Sequence, residues 1–128
     1  MDKKLKDSLS KIKLLICDID GVLTDGSFIK STSGEELRSF NALDGVGFVV
    51  LRLLDLNVKT AWITGRESLT TTQRAEELQI DDVYNGVIRK IDAYIELKKK
   101  YGLSDSEICF IGDDIIDIPI LEKVGLAV

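Results

Sequence analysis

Residues 13–26 read Lys13-Leu14-Leu15-Ile16-Cys17-Asp18-Ile19-Asp20-Gly21-Val22-Leu23-Thr24-Asp25-Gly26. An apolar stretch of strand character stops at two aspartates spaced i, i+2, then at a glycine. Buried parallel strands read as apolar runs, and ligands bind beyond their carboxyl ends. In a strand-like segment i and i+2 point the same way, so Asp18 and Asp20 converge at a sheet rim. Two carboxylates there repel unless a cation or a proton separates them. That arrangement suits a hard, oxygen-liganded metal such as Mg²⁺, and a carboxylate nucleophile beside a carboxylate acid/base.

Working outward, strand-like runs recur at 58–64, 82–84, 107–112 and 126–128. Between them apolar residues fall at helical spacing over 44–56, 67–79 and 89–101, with Gly102 as a stop for the last. Pro119 suits the first turn of a short helix over 117–124, and 2–12 reads as a leading helix. Strands alternating with helices predict a Rossmann-like three-layer α/β sandwich, with helices on both faces of a parallel sheet. Residues 27–40 break the rhythm. They read as two short strands around a Thr32-Ser33-Gly34 turn, a small hairpin flap standing over Asp18 and Asp20. Nothing in 1–128 is long enough for a large cap, and the whole reads as one domain. Val128 falls on the last core strand, which predicts a further C-terminal tail beyond it.

The composition narrows the chemistry. The 128 residues are 45% hydrophobic and 30% charged, an ordinary globular balance. A net charge of −5 argues against nucleic-acid or anionic-membrane partners. No apolar run reaches membrane-spanning length and the N-terminus lacks a signal-peptide core, so a cytoplasmic location is expected. The chain has no histidine, which removes His-based triads, His-ligated zinc and His general bases. Acid/base work falls to carboxylates. Cys17 and Cys109 both sit in core strands and read as buried free thiols. If Asp18 and Asp113 share a sheet edge, the two cysteines are offset by three residues, ~10 Å, too far for a disulfide.

Four polar patches fall at successive strand ends. Asp18-Ile19-Asp20-Gly21 is the first. Ile63-Thr64-Gly65-Arg66 is the second, where a hydroxyl and backbone N–H groups at a helix start can cradle an anion. Lys90 after Tyr84-Asn85-Gly86 is the third, with Arg89 as a competing cation. Ile111-Gly112-Asp113-Asp114-Ile115-Ile116-Asp117 is the fourth. Singly, each has a plain alternative: turn chemistry, a helix cap, a solvated lysine. Together, each at a strand's carboxyl end, they describe one site.

In that order the four patches resemble the motifs of the haloacid dehalogenase superfamily of phosphotransferases, over roughly residues 12–128. Within it the chain is similar to the 3-deoxy-D-manno-octulosonate (KDO) 8-phosphate phosphatase family. The marks are Gly21-Val22-Leu23-Thr24-Asp25-Gly26, Phe40-Asn41-Ala42-Leu43-Asp44-Gly45, Thr64-Gly65-Arg66, Arg74-Ala75-Glu76-Glu77-Leu78 and Tyr101-Gly102-Leu103 before Ile111-Gly112-Asp113-Asp114. The resemblance implies that Asp18 is the nucleophile and Asp20 the acid/base. It implies Mg²⁺ held by Asp18, the Asp20 carbonyl and Asp113, with Asp114 and Asp117 in support. Thr64, Gly65 and Lys90 would take the phosphoryl group, and Asn41, Asp44 and Arg66 the sugar acid. It further implies a homotetramer built through the hairpins, whose Phe28, Ile29, Leu37 and Phe40 offer apolar surface. The expected activity is hydrolysis of a phosphorylated 2-keto-3-deoxy sugar acid, KDO 8-phosphate foremost, through an aspartyl-phosphate. The alternatives are a nine-carbon sugar acid phosphate as substrate, or a non-catalytic module like those fused to sialic-acid cytidylyltransferases. Such a module would lack a motif aspartate or lysine, and this chain retains them all.

Overall fold

A computed structural model describes residues 2–128. Five parallel strands form the sheet: β1 (Leu14–Cys17), β4 (Lys59–Thr64), β5 (Asp82–Asn85), β6 (Ile108–Ile111) and β7 (Leu126–Ala127), in the spatial order β5-β4-β1-β6-β7. The helices are α1 (Lys3–Leu9), α2 (Ala42–Leu53), α3 (Leu69–Leu78), α4 (Lys90–Tyr101) and α5 (Ile118–Leu121). The remaining strands, β2 (Ile29–Lys30) and β3 (Glu36–Leu37), pair antiparallel as a hairpin outside the sheet. Among the described residues no helix is long and apolar enough to cross a membrane.

Strand alternation explains why both faces of the sheet are covered. Leu14 and Ile16, Ala61 and Ile63, and Ile108 and Phe110 point to one face, where Ala93, Tyr94 and Leu97 of α4 and Ile120 of α5 close over them. Cys17 and Trp62 point to the other, under Phe48 of α2 and Ala75 and Leu78 of α3. Each inner strand therefore needs apolar residues at every position, which is the run that opens the sequence.

The chain moves outward from β1 through β4 to β5, then returns to lay β6 and β7 on the other side of β1. Connections reverse direction at β1, and in open parallel sheets a crevice opens at the carboxyl end of such a strand. Asp18 follows β1 directly, and its N–H donates to the Ile111 carbonyl of the neighbouring β6.

Three details differ from the sequence reading. Helix α2 begins at Ala42 rather than 44, because the Asn41 carboxamide caps it by accepting the Leu43 N–H at 2.8 Å. The segment read as a helix over 117–124 divides into a 3₁₀ turn, Ile115–Asp117, and the single α-turn of α5, with Pro119 in its first turn. The cysteines are offset by two residues, not three, since Cys17 pairs with Ile111 and Leu15 with Cys109. Two residues of offset on adjacent strands still hold the Cα atoms about 8 Å apart, and both thiols are free and buried. Burial pushes the Cys17 thiol up to about 12 and the Cys109 thiol up to about 11.

Candidate active site

The first carboxylate is fixed by its own backbone. Asp18 is buried, and its Oδ1 accepts the Ile19 N–H at 2.6 Å. Its Oδ2 lies 2.9 Å from Lys90 Nζ. Lys90 starts α4, and its ammonium also donates to Asp117 Oδ1 at 2.8 Å. Asp117 is in turn held by the 3₁₀ turn, its Oδ2 accepting the Asp114 N–H at 3.2 Å. One buried ammonium therefore sits between two buried carboxylates, the arrangement a buried charge requires. Arg89, the rival cation, is exposed and paired with Asp92. Burial pushes the Asp18 carboxyl up to about 6, against the hydrogen bond and charge of Lys90, while the nearby Asp117 adds to the rise.

Asp18, Asp113 and Asp117 each present an oxygen, all within 4.8 Å of one another. An all-oxygen donor set of that charge and spacing fits a hard divalent cation. The cradle is tight on the side of the first turn. Gly21 has φ +94°, and a Cβ there would stand 1.8 Å from Asp113 Oδ2. Only glycine gives the backbone both that conformation and that approach. Asp114, grouped with Asp117 in the sequence reading, has a different place: it is exposed, and its carboxylate caps the 3₁₀ turn by accepting the Ile115 N–H at 2.6 Å.

Asp20 turns its carboxylate another way. Oδ2 accepts a hydrogen bond from Thr64 Oγ1 at 3.2 Å, and Oδ1 lies 3.2 Å from Arg38 Nη1. Thr64, at the end of β4, is fully buried, and its hydroxyl also accepts the Arg66 N–H at 3.2 Å. Gly65 follows at the strand's mouth, where a Cβ would come within 3.9 Å of Ile88 and Ile116, beside the third and fourth patches. The structure thus brings Asp18, Asp20, Thr64, Gly65, Lys90, Asp113 and Asp117 to one end of the sheet.

The three residues expected to meet the sugar divide into two places. Asn41 and Asp44 line an open hollow of about 380 Å³ with Val22, Thr24, Asp25 and Phe40. Arg66 stands with the hairpin instead, its guanidinium carbon 3.8 Å from the centroid of the Phe28 ring and its Nη1 3.6 Å from Glu36 Oε2. Of the apolar hairpin residues, Phe28 is thereby partly covered, and Phe40 stacks on Trp62 at 6.3 Å in the core. Ile29 and Leu37, paired across the hairpin, are 66% and 59% exposed.

The sequence by itself does not point to Arg38. Its only sequence signal is its place in the hairpin's return, where an arginine ordinarily reads as solvated.

A family profile for haloacid dehalogenase-like hydrolases matches residues 60–128. The 3-deoxy-D-manno-octulosonate 8-phosphate phosphatase KdsC of Salmonella typhi is 41% identical over 117 residues, which are 91% of this chain and 61% of the relative. The chain therefore spans about three fifths of the length of such curated relatives. Among solved structures, the 3-deoxy-D-manno-octulosonate 8-phosphate phosphatase of Yersinia pestis superposes with a TM-score of 0.94 at 37% identity, covering 99% of this chain and 68% of its own. That of Moraxella catarrhalis, in complex with a magnesium ion, a phosphate ion and KDO, gives 0.91 at 34% identity, covering 98% and 71%.

Proposed function

The chain belongs to the haloacid dehalogenase-like hydrolases, and from that membership we propose that it is a Mg²⁺-dependent phosphomonoesterase acting on KDO 8-phosphate. One observation carries the reading. A buried carboxylate, Asp18, stands at the end of the central strand with a buried ammonium 2.9 Å away and two more carboxylate oxygens within 4.8 Å. A nucleophile, a phosphoryl-binding cation and a metal cradle occupy one crevice.

Asp18 attacks phosphorus in line, and the phosphorus–oxygen bond to the sugar breaks. Asp20 gives its proton to the departing alkoxide. It then takes a proton from the water that attacks the aspartyl-phosphate, releasing inorganic phosphate and regenerating the Asp18 carboxylate. Lys90, the Thr64 hydroxyl and the Gly65 backbone hold the phosphoryl oxygens and offset the charge gathering there. Asp18, Asp113 and Asp117, with the Asp20 carbonyl, would hold Mg²⁺. When bound, the ion supplies positive charge against the phosphoryl oxygens. Asn41 and Asp44 on one side and Arg66 on the other receive the sugar acid, Arg66 being the cation suited to its carboxylate. The intact set of aspartates and Lys90 favours catalysis over a purely structural module.

The hairpin's exposed Ile29 and Leu37 support assembly as a homotetramer about a cyclic axis. The two free thiols suit a reducing compartment, and we place the chain in the cytoplasm.

The test is phosphate release from KDO 8-phosphate and from nine-carbon keto sugar acid phosphates, with Mg²⁺ and with EDTA. The reading requires Mg²⁺-dependent turnover that is lost in Asp18→Asn. Full turnover in EDTA, or an active Asp18→Asn, refutes it. A preference for the nine-carbon compound moves the substrate and leaves the chemistry.

A further inference from the structure

Arg38 leaves the hairpin just after β3, and its side chain is fully buried. A guanidinium carries five N–H donors and no acceptor, so its burial asks for several partners. Nε lies 3.2 Å from Glu36 Oε1, and Nη1 donates to Thr71 Oγ1 of α3 at 3.2 Å. The same Nη1 stands 3.2 Å from Asp20 Oδ1. Thr64 holds the other oxygen of that carboxylate, at 3.2 Å. Asp20 is thus gripped at both oxygens by separate elements, the hairpin's return and the end of β4.

The two grips differ in kind. Thr64 makes a hydrogen bond to Oδ2. Arg38 opposes Oδ1 in charge and distance, yet Oδ1 and Arg38 Nη2 are both buried without a hydrogen-bond partner. The guanidinium fixes where Oδ1 lies through charge at short range, and Thr64 fixes Oδ2 through a directed hydrogen bond. An aspartate held at neither oxygen would sample several rotamers, and a misplacement of about 1 Å can cost a reaction about 10²-fold.

We propose that Arg38 is a positioning residue for Asp20: anchored by Glu36 and Thr71 at the base of the hairpin, it holds the Asp20 carboxylate in the orientation that transfers a proton to the leaving group. This rests on the reading of Asp20 as the acid/base. It ties the hairpin to chemistry as well as to substrate cover, because Glu36 and Arg38 are hairpin residues.

The leaving group supplies the test. A sugar alkoxide needs a proton as it departs, and 4-nitrophenolate does not. Arg38→Met, Arg38→Lys, Glu36→Gln and Asp20→Asn are compared with the unaltered chain on KDO 8-phosphate and 4-nitrophenyl phosphate at saturating Mg²⁺. Arg38→Met should lower kcat on KDO 8-phosphate about 10²-fold with little change in KM. The loss on 4-nitrophenyl phosphate, read as the burst of 4-nitrophenolate released before Asp20 activates the water of the second step, should be about tenfold smaller, since that ester draws little on the acid. Arg38→Lys should recover part of the loss, and Glu36→Gln should show a weaker form of the same selectivity. If near-ultraviolet dichroism shows that Arg38→Met does not fold, Arg38→Lys and Glu36→Gln decide, and neither showing the selectivity overturns the proposal. Equal loss on both esters, or a rise in KM alone, makes Arg38 a strut or a binding residue and overturns it also. Asp20→Asn separates the two levels. Full KDO 8-phosphate turnover there removes the acid/base reading and the proposal with it. A selective loss in Asp20→Asn with none in the Arg38 variants overturns the role of Arg38 alone.

Discussion

Lys90 Nζ lies 2.9 Å from Asp18 Oδ2, and both side chains are buried. The same ammonium reaches Asp117 at 2.8 Å. Removing it by Lys90→Met leaves two buried carboxylates facing each other. Breaking a buried pair from one side costs about 3–5 kcal/mol, so the midpoint of urea denaturation should fall clearly. Phosphatase turnover should fall with it. Lys90→Met combined with Asp117→Asn should recover stability and not activity.

The raised Asp18 carboxyl makes metal binding pH-sensitive. A ligand must lose its proton to bind Mg²⁺, and Asp18 holds its proton up to about pH 6. Below that pH the apparent Mg²⁺ affinity should weaken about tenfold per unit, and isothermal titration at several pH values reads it. Stability of the metal-free protein has the corresponding sign. The folded state keeps a proton that the unfolded chain gives up at its ordinary value of 3.8. Between there and about pH 6 stability therefore falls as pH rises, and above that this group adds no further change.

Gly21→Ala tests the cradle. The new methyl would meet Asp113 Oδ2 at 1.8 Å, and the residue would have to hold φ +94°. Strain of that kind costs about 1–3 kcal/mol. The larger effect should be on Mg²⁺ affinity, since Asp113 must turn away. Thermal unfolding with and without Mg²⁺ should show a lowered midpoint that the metal no longer raises.

Ile29→Asp tests assembly. Ile29 and Leu37 pair across the hairpin and are both exposed, whereas Phe28 lies under Arg66. Light scattering should give a tetramer for the unaltered chain and smaller species for the variant. Turnover of 4-nitrophenyl phosphate should persist, because none of the catalytic groups lies on that face of the hairpin. A monomer for the unaltered chain refutes the assembly.

The sequence alone specified the layers and the strand ends at which the candidate residues gather. The short apolar runs within 13–18, 58–64 and 107–112 read as strands covered on both faces, and Leu14, Ile16, Ile63 and Phe110 are buried accordingly. Carboxylates ending such runs stand at the carboxyl ends of the strands, where the crevice of an open parallel sheet lies. Asp18, Asp20, Thr64, Lys90 and Asp113 follow from this, each by its position against a strand end or a helix start.

Only the tertiary structure decided how those groups are shared out. Asp114 and Asp117 are three residues apart in one acidic segment, yet one caps a turn and the other holds Lys90. Arg38 meets Asp20, and Arg66 meets Phe28, once the hairpin folds over the sheet edge. The two-residue offset of Cys17 and Cys109 depended on strand register. Periodicity is set by neighbours a few residues away and is written in the chain. The partner of a buried charge is set by the order and register of strands distant in sequence, and by which cation their packing brings within reach.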